Sequence, residues 1–234
     1  MAIDVIGVDG DDTLWHSEGH FHVTEQRFVE ILDPWVDAET VSSALLDTER
    51  RNLALFGYGV KGFTLSMIET ALTLSGHQVD GERIERILTL GKELLAHPVE
   101  LLDGVAETLD VLGRDHRLVL ITKGDLFHQE SKVAASGVAA LFEGIEIVAE
   151  KDVTTYGRIM SRMGTSPTGF CMVGNSVRSD IAPVLELGGA GVHVPYHVTW
   201  ALELAEIADG HPRLAQVAGI REAPAAIDAL SLAA

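Results

Sequence analysis

Five short apolar runs, each stopped by glycine or polar residues, constrain this chain more than any other feature. They are Val5-Ile6-Gly7-Val8, Leu118-Val119-Leu120-Ile121, Ile145-Glu146-Ile147-Val148, Phe170-Cys171-Met172-Val173 and Gly191-Val192-His193-Val194. Apolar runs of roughly this length ending in turn residues read as buried strands. From Leu101 onward they alternate with helix-period segments at 104–114, 127–136, 155–163 and 181–187, the last three closed by Gly137, Gly164 and Gly188-Gly189. Strand and helix in alternation imply right-handed crossovers and a parallel sheet. The expected class is therefore α/β, a Rossmann-like parallel sheet with helices on both faces.

The stretch between the first two strands has another rhythm. Phe28, Ile31, Leu32 and Trp35 share one helical face, with Pro34 near its end. Val41, Ala44, Leu45 and Thr48 start a second helix. Phe63, Met67, Ala71 and Leu74 mark a third, stopped at Gly76; Ile84, Ile87, Leu88, Gly91, Leu94 and Leu95 mark a fourth, stopped at Pro98. With no strand among them, residues 17–97 are expected to form an all-helical domain inserted into a core made of residues 1–16 and 98–234. The tail from Thr199 reads as two short helices around Gly210-His211-Pro212, without a chemical motif.

The apolar run Val5 to Val8 ends in Asp9-Gly10-Asp11-Asp12-Thr13. A helix cap would need one acid there; three acids in four positions call for a cation or a proton to offset their repulsion. With all-oxygen ligands the simplest cation is Mg²⁺. Other strands end in Thr122-Lys123, in Lys151, and in Asn175 with Asp180. Strands of a parallel sheet share one carboxyl edge, where ligands gather, so these groups converge although they are far apart in sequence.

Their order and spacing resemble the haloacid dehalogenase-like (HAD) superfamily of hydrolases. Asp9-Gly10-Asp11-Asp12-Thr13 is similar to its first motif, Thr122 to the second, Lys151 to the third and Gly174-Asn175-Ser176-Val177-Arg178-Ser179-Asp180 to the fourth. The helical insertion resembles that superfamily's C1-type cap, and the likeness spans residues 5–194. It implies Asp9 as nucleophile, forming an aspartyl-phosphate, and Asp11 as the acid and base. It also implies a Mg²⁺ site from Asp9, the backbone carbonyl of Asp11, Asp180 and Asn175. Thr122 would bind a phosphoryl oxygen, and Lys151 would offset negative charge. Asn175 departs from the pattern, which usually has an acid there; an amide oxygen still ligates, but with one charge fewer, so weaker Mg²⁺ binding is expected.

The expected substrate is a small phosphorylated metabolite. Lys123 and Arg178 are candidate phosphate neighbours, and the cap segment Phe56 to Phe63, with Tyr58 and Lys61, is a candidate substrate loop. Three alternatives stand beside a phosphatase. A 2-haloacid dehalogenase would have no use for an acid at Asp11 or for a metal; a phosphonatase would want a cap lysine, for which Lys61 is the candidate; and Asn175 is the feature favouring a weakened phosphate-binding or interaction module. His16, His20 and His22 do not share one helical face and read as hinge or solvent residues, while Trp15 and His16 enter the cap at a hinge.

The net charge of −18 argues against nucleic acid and anionic membranes as partners. No apolar run approaches the roughly 20 residues that span a bilayer. The N-terminus enters the first strand directly, without a leader-like segment, and the single cysteine, Cys171, lies in a strand. A soluble cytoplasmic protein is expected, as a monomer or a homodimer.

Overall fold

The computed structural model describes residues 2–206 and 210–232. The chain divides into two compact units, one of residues 1–18 and 99–234 and the other of residues 19–98.

The first unit is the α/β one. Its opening strand β1 (Val5–Val8) is buried along its whole length. The chain then leaves through a tight turn in which the N–H groups of Thr13, Leu14 and Trp15 point at the Gly10 carbonyl. Asp12 takes a positive φ of 64° in that turn, and its carboxylate accepts the N–H groups of Ser17 and Glu18. The departing and returning chains bond to each other, His16 N–H to Glu100 O at 3.1 Å and Leu102 N–H to Leu14 O at 2.9 Å.

The second unit holds α1 (Glu18–Leu32), whose first residue belongs to the α/β unit, and α2 (Ala38–Phe56), α3 (Val60–Leu74) and α4 (Gly81–Leu95). Asp37 and Asp80 cap α2 and α4 by accepting the N–H groups of Thr40 and Arg83. Trp35 lies beyond the end of α1 rather than in it. The predicted apolar faces meet in one core of Phe28, Ile31, Leu45, Phe63, Met67 and Ile87 among others. Gly91 lets α3 approach closely, because a Cβ there would lie 2.2 Å from Thr64 Oγ1.

Back in the α/β unit follow α5 (Val105–Leu112), β2 (Arg117–Lys123), α6 (Leu126–Ala135), β3 (Gly144–Val148), α7 (Val153–Met163), β4 (Phe170–Gly174), α8 (Ala182–Glu186) and β5 (Ala190–His193). Before α8 the chain makes one π-type turn over Val177–Ile181. The tail departs from the sequence expectation. Within the described residues it contains two 3₁₀ turns (Ala201–Glu203 and Ile220–Glu222), a sixth strand β6 (Leu214–Gln216) and one α-helix, α9 (Ala223–Leu232). Three residues are too few for a period to register, and β6 exists because Leu214, Ala215 and Gln216 pair with Gly191, Val192 and His193. Part of the expected tail helix falls on residues 207–209, outside the described residues.

All strands pair in parallel, in the order β3-β2-β1-β4-β5-β6. Alternate side chains feed two cores on the two faces. Ile6, Val8, Leu118, Leu120, Cys171 and Val173 pack with α5, α6 and α9; Val5, Val119, Ile121, Phe170 and Met172 pack with α7 and α8. Burial pushes the Cys171 thiol up to about 12, as suits an inert core residue. Gly7 belongs to the second face, where a Cβ would meet Phe170 Cζ at 2.7 Å, Met172 Sδ at 2.8 Å and Ile121 Cδ1 at 3.0 Å. Gly7→Ala is accordingly expected to lower stability by about 1–3 kcal/mol, read as a lower urea midpoint at an unchanged slope.

Candidate functional site

Strand order places the chemistry. β1 lies between β2 and β4, and the chain order reverses direction across the β1–β4 pair, the position at which open α/β sheets bind ligands. Asp9 follows β1, its N–H bonded to Val173 O on β4 at 2.9 Å. Thr122 stands near the end of β2, buried, with its hydroxyl beside Gly10. Asn175 and the turn carrying Asp180 follow β4. Lys151 lies beyond β3, just before Asp152, which caps α7 by accepting Thr155 N–H.

The central contact is a buried triad. Lys151 Nζ donates to Asp9 Oδ1 and, at 2.6 Å, to Asp180 Oδ1, and its side chain is 3% exposed. The second oxygen of each acid is also held: Asp9 Oδ2 accepts the Thr13 hydroxyl at 2.9 Å, and Asp180 Oδ2 accepts Ser176 N–H at 2.9 Å. Thr13 Oγ1 in turn accepts Asn175 N–H at 3.1 Å and lies 3.3 Å from Asn175 Oδ1. One ammonium thus faces two carboxylates.

The charge balance shows in the acidities. Burial and the neighbouring Asp180 push Asp9 up to about 7 despite Lys151. Burial opposes charge on Lys151, but Asp180 and Asp9 outweigh it and hold the ammonium's pKa above the usual lysine range. The excess negative charge favours uptake of a proton or a cation. Among the described residues no group of three or more His, Cys, Asp or Glu side chains is gathered as a metal site. The available oxygen donors are Asp9, Asp180, the Asn175 amide and the Asp11 backbone.

Asp11 has partners that sequence reading missed. Its Oδ1 accepts Trp15 Nε1–H at 2.6 Å and Lys132 Nζ–H at 2.5 Å, and its Oδ2 accepts Gln129 Nε2–H at 2.9 Å. Burial works against the charge on Asp11, but the Lys132 ammonium and the three hydrogen bonds outweigh that and hold the carboxyl below the usual carboxylate range. Gln129 and Lys132 stand three apart on α6, the helix after β2, a spacing that could have marked an inward face. Tyr156 is the other unforeseen neighbour; fully buried, it donates its hydroxyl to Ser179 O at 3.0 Å.

Lys123 Nζ donates to Glu203 Oε1 at 2.5 Å and Ser179 Oγ at 2.8 Å, and Arg178 donates to the Leu202 carbonyl at 2.6 Å. Both are engaged with the tail's first 3₁₀ turn. Lys61 is an exposed residue of α3 in the helical unit. Each of the three histidines has its own neighbour within its unit: His16 Nδ1 lies 2.7 Å from the Tyr196 hydroxyl, His20 stacks on His97 at 3.6 Å, and His22 lies 3.1 Å from Gln26.

A family model for haloacid dehalogenase-like hydrolases matches residues 3–188. The chain belongs to the haloacid dehalogenase-like hydrolases. A haloacid dehalogenase-like family hydrolase from Xanthomonas campestris is 45% identical, with a TM-score of 0.89 over 99% of this chain and 93% of its own. Two more distant structures share the fold. The putative HAD-hydrolase YfnB from Bacillus subtilis, solved bound to magnesium, is 12% identical with a TM-score of 0.67, over 97% of this chain and 100% of its own. An L-2-haloacid dehalogenase from Xanthobacter autotrophicus, solved with chloropropionic acid covalently bound, is 13% identical with a TM-score of 0.66, over 97% and 99% respectively. No curated protein matches significantly.

The triad makes a direct prediction. Lys151→Met leaves two buried carboxylates without a counter-charge and should cost about 3–5 kcal/mol at neutral pH in urea unfolding. Asp9, already raised with Lys151 present, then binds its proton still more tightly in the folded state than in the unfolded one. The deficit should therefore narrow as pH is lowered, and a deficit independent of pH would contradict the assignment.

Proposed function

We propose that this hydrolase is a Mg²⁺-dependent phosphatase acting on a small phosphorylated metabolite through an aspartyl-phosphate. The observation that carries the reading is the pairing of Asp9 with a second, separately held carboxylate, Asp11, two positions on. Displacing an alkoxide needs a proton donor and displacing a halide does not, so a second carboxyl held in place at Asp11 by Trp15, Gln129 and Lys132 has a use with phosphate esters and none with 2-haloacids.

In this mechanism Asp9, fixed at both oxygens by Lys151 and Thr13, attacks phosphorus and displaces the ester oxygen. Asp11, ionised in the free protein, takes up a proton as the anionic phosphate nears it and gives that proton to the departing oxygen. Asp11 then removes a proton from a water that attacks the phosphorus of the aspartyl-phosphate, releasing inorganic phosphate and regenerating Asp9. Lys151 offsets the charge that accumulates on nucleophile and phosphoryl group, and the Thr122 hydroxyl donates to a phosphoryl oxygen.

Mg²⁺ fits the donor set, which is all oxygen and carries more negative charge than Lys151 neutralises. Asp9, Asp180, Asn175 and the Asp11 carbonyl would hold it, and bound there it would neutralise phosphoryl charge. With an amide at Asn175 in place of an acid, affinity should be modest. The helical unit is assigned the role of a substrate-selecting cap, with Lys61 as its candidate contact; the expectation of a cytoplasmic enzyme is retained as part of the same reading.

A panel of phosphate esters assayed with Mg²⁺ and with EDTA tests this. Phosphate release should require Mg²⁺ and vanish in Asp9→Asn. Asp11→Asn should lose about 10²–10⁴-fold on alkyl esters, whose leaving group needs a proton, and far less on aryl esters. Halide release from 2-haloacids without metal, in place of phosphate release, would overturn the reading.

A further inference from the structure

The tail turn over Ala201–Glu203 carries one of the least exposed carboxylates outside the Lys151 triad. The Glu203 side chain is 14% exposed, although it sits on a three-residue 3₁₀ turn outside the sheet. Its oxygens are both taken. Oε1 accepts Lys123 Nζ–H at 2.5 Å, and Oε2 accepts the hydroxyls of Ser176 at 2.7 Å and Ser179 at 2.5 Å. Burial works against the charge on Glu203, but Lys123 and the two serines outweigh that and keep its carboxyl below the usual carboxylate range.

These serines frame the π-type turn that carries Asp180. Ser176 gives its N–H to Asp180 Oδ2 and accepts Ser179 N–H at 3.0 Å, so the residue that holds Asp180 is itself held by Glu203. Asp180 N–H bonds back to Ser176 O at 2.8 Å, while Ile181 N–H reaches the same carbonyl at 3.3 Å. A turn of this type is wider and less tightly bonded than an α-helical one, and such turns gather at functional sites. The strand end offers no slack: a Cβ on Gly174 would lie 2.3 Å from Asp180 Oδ2. The Arg178 guanidinium, bonded to Leu202 O, ties the same turn to the same tail segment a second time.

We infer that Glu203 is a positioning residue for Asp180, acting through Ser176 and Ser179, and that Lys123 serves as the counter-charge of Glu203 rather than as a substrate ligand. The link to Mg²⁺ rests on the phosphatase reading; the link to the geometry of Asp180 does not. In the hydrolase this makes the tail part of the site, since residues bonded to a ligand set its orientation and its affinity for the cation.

The test uses the full-length protein with Glu203→Ala and, as an isosteric variant that keeps one acceptor and loses the charge, Glu203→Gln. Hydrogen exchange of the amides of Ser176, Ser179 and Asp180 is measured in cation-free protein, where no catalytic assumption enters. Glu203→Ala should speed exchange at these amides at least tenfold while the amides of β1 and β2 keep their protection, with Glu203→Gln in between. Mg²⁺ titration calorimetry should then show affinity weakened by about 10–100-fold in Glu203→Ala, with KM for an aryl phosphate within about twofold of wild type while kcat falls. Unchanged exchange at those amides in either folded variant overturns the inference. Faster exchange with unchanged Mg²⁺ affinity overturns its catalytic half. A wild-type protein that binds no Mg²⁺ contradicts the phosphatase reading instead, and the exchange result still decides whether Glu203 holds the turn.

Discussion

One ammonium shared by two buried carboxylates organises this site. Lys151 reaches Asp9 and Asp180 from beyond β3, while those acids arrive from β1 and β4. An uncompensated carboxylate at this depth would carry a desolvation penalty of several kcal/mol, so removing any one of the three leaves the others in a poor environment. The pairing also stops short of neutrality, and Asp9 rises to about 7 as a result. A site that is stable enough to fold and still favours a proton or a cation is suited to binding a charged reactant.

Around that triad the nearest polar groups have separate anchors. Thr13 and Asn175 hold the remaining oxygen of Asp9 and the loop beside it; Trp15, Gln129 and Lys132 hold Asp11; Ser176 holds Asp180, and Glu203 holds Ser176. Asp9 and Asp11, two residues apart, therefore sit in opposed environments, one pushed up and the other held down.

The sheet and the helices of the second unit were legible because their signals are long or repeated. The apolar run Phe170 to Val173 and the face built by Phe63, Met67 and Ala71 are set by burial alone, and burial follows hydrophobic period. The gathering of Asp9, Thr122, Lys151 and Asp180 at one sheet edge was legible for a topological reason, since parallel strands share that edge. What escaped detection depends on partners distant in sequence. Leu214 to Gln216 is a strand only because β5 lies beside it. Lys132 and Glu203 resemble surface charges until folding brings them to Asp11 and Lys123. Lys123 shows the same dependence: its place beside Thr122 invites a substrate role, and folding brings its ammonium to Glu203.

The central claim is that Asp9 attacks phosphorus. It is tested most directly by mixing the Mg²⁺-loaded enzyme with a hydrolysed aryl phosphate, quenching in acid during turnover and mapping the peptides by mass spectrometry. The account predicts a transient phosphoryl adduct on Asp9 that disappears once substrate is exhausted. Turnover with no adduct at Asp9, or with the adduct on another residue, would contradict it.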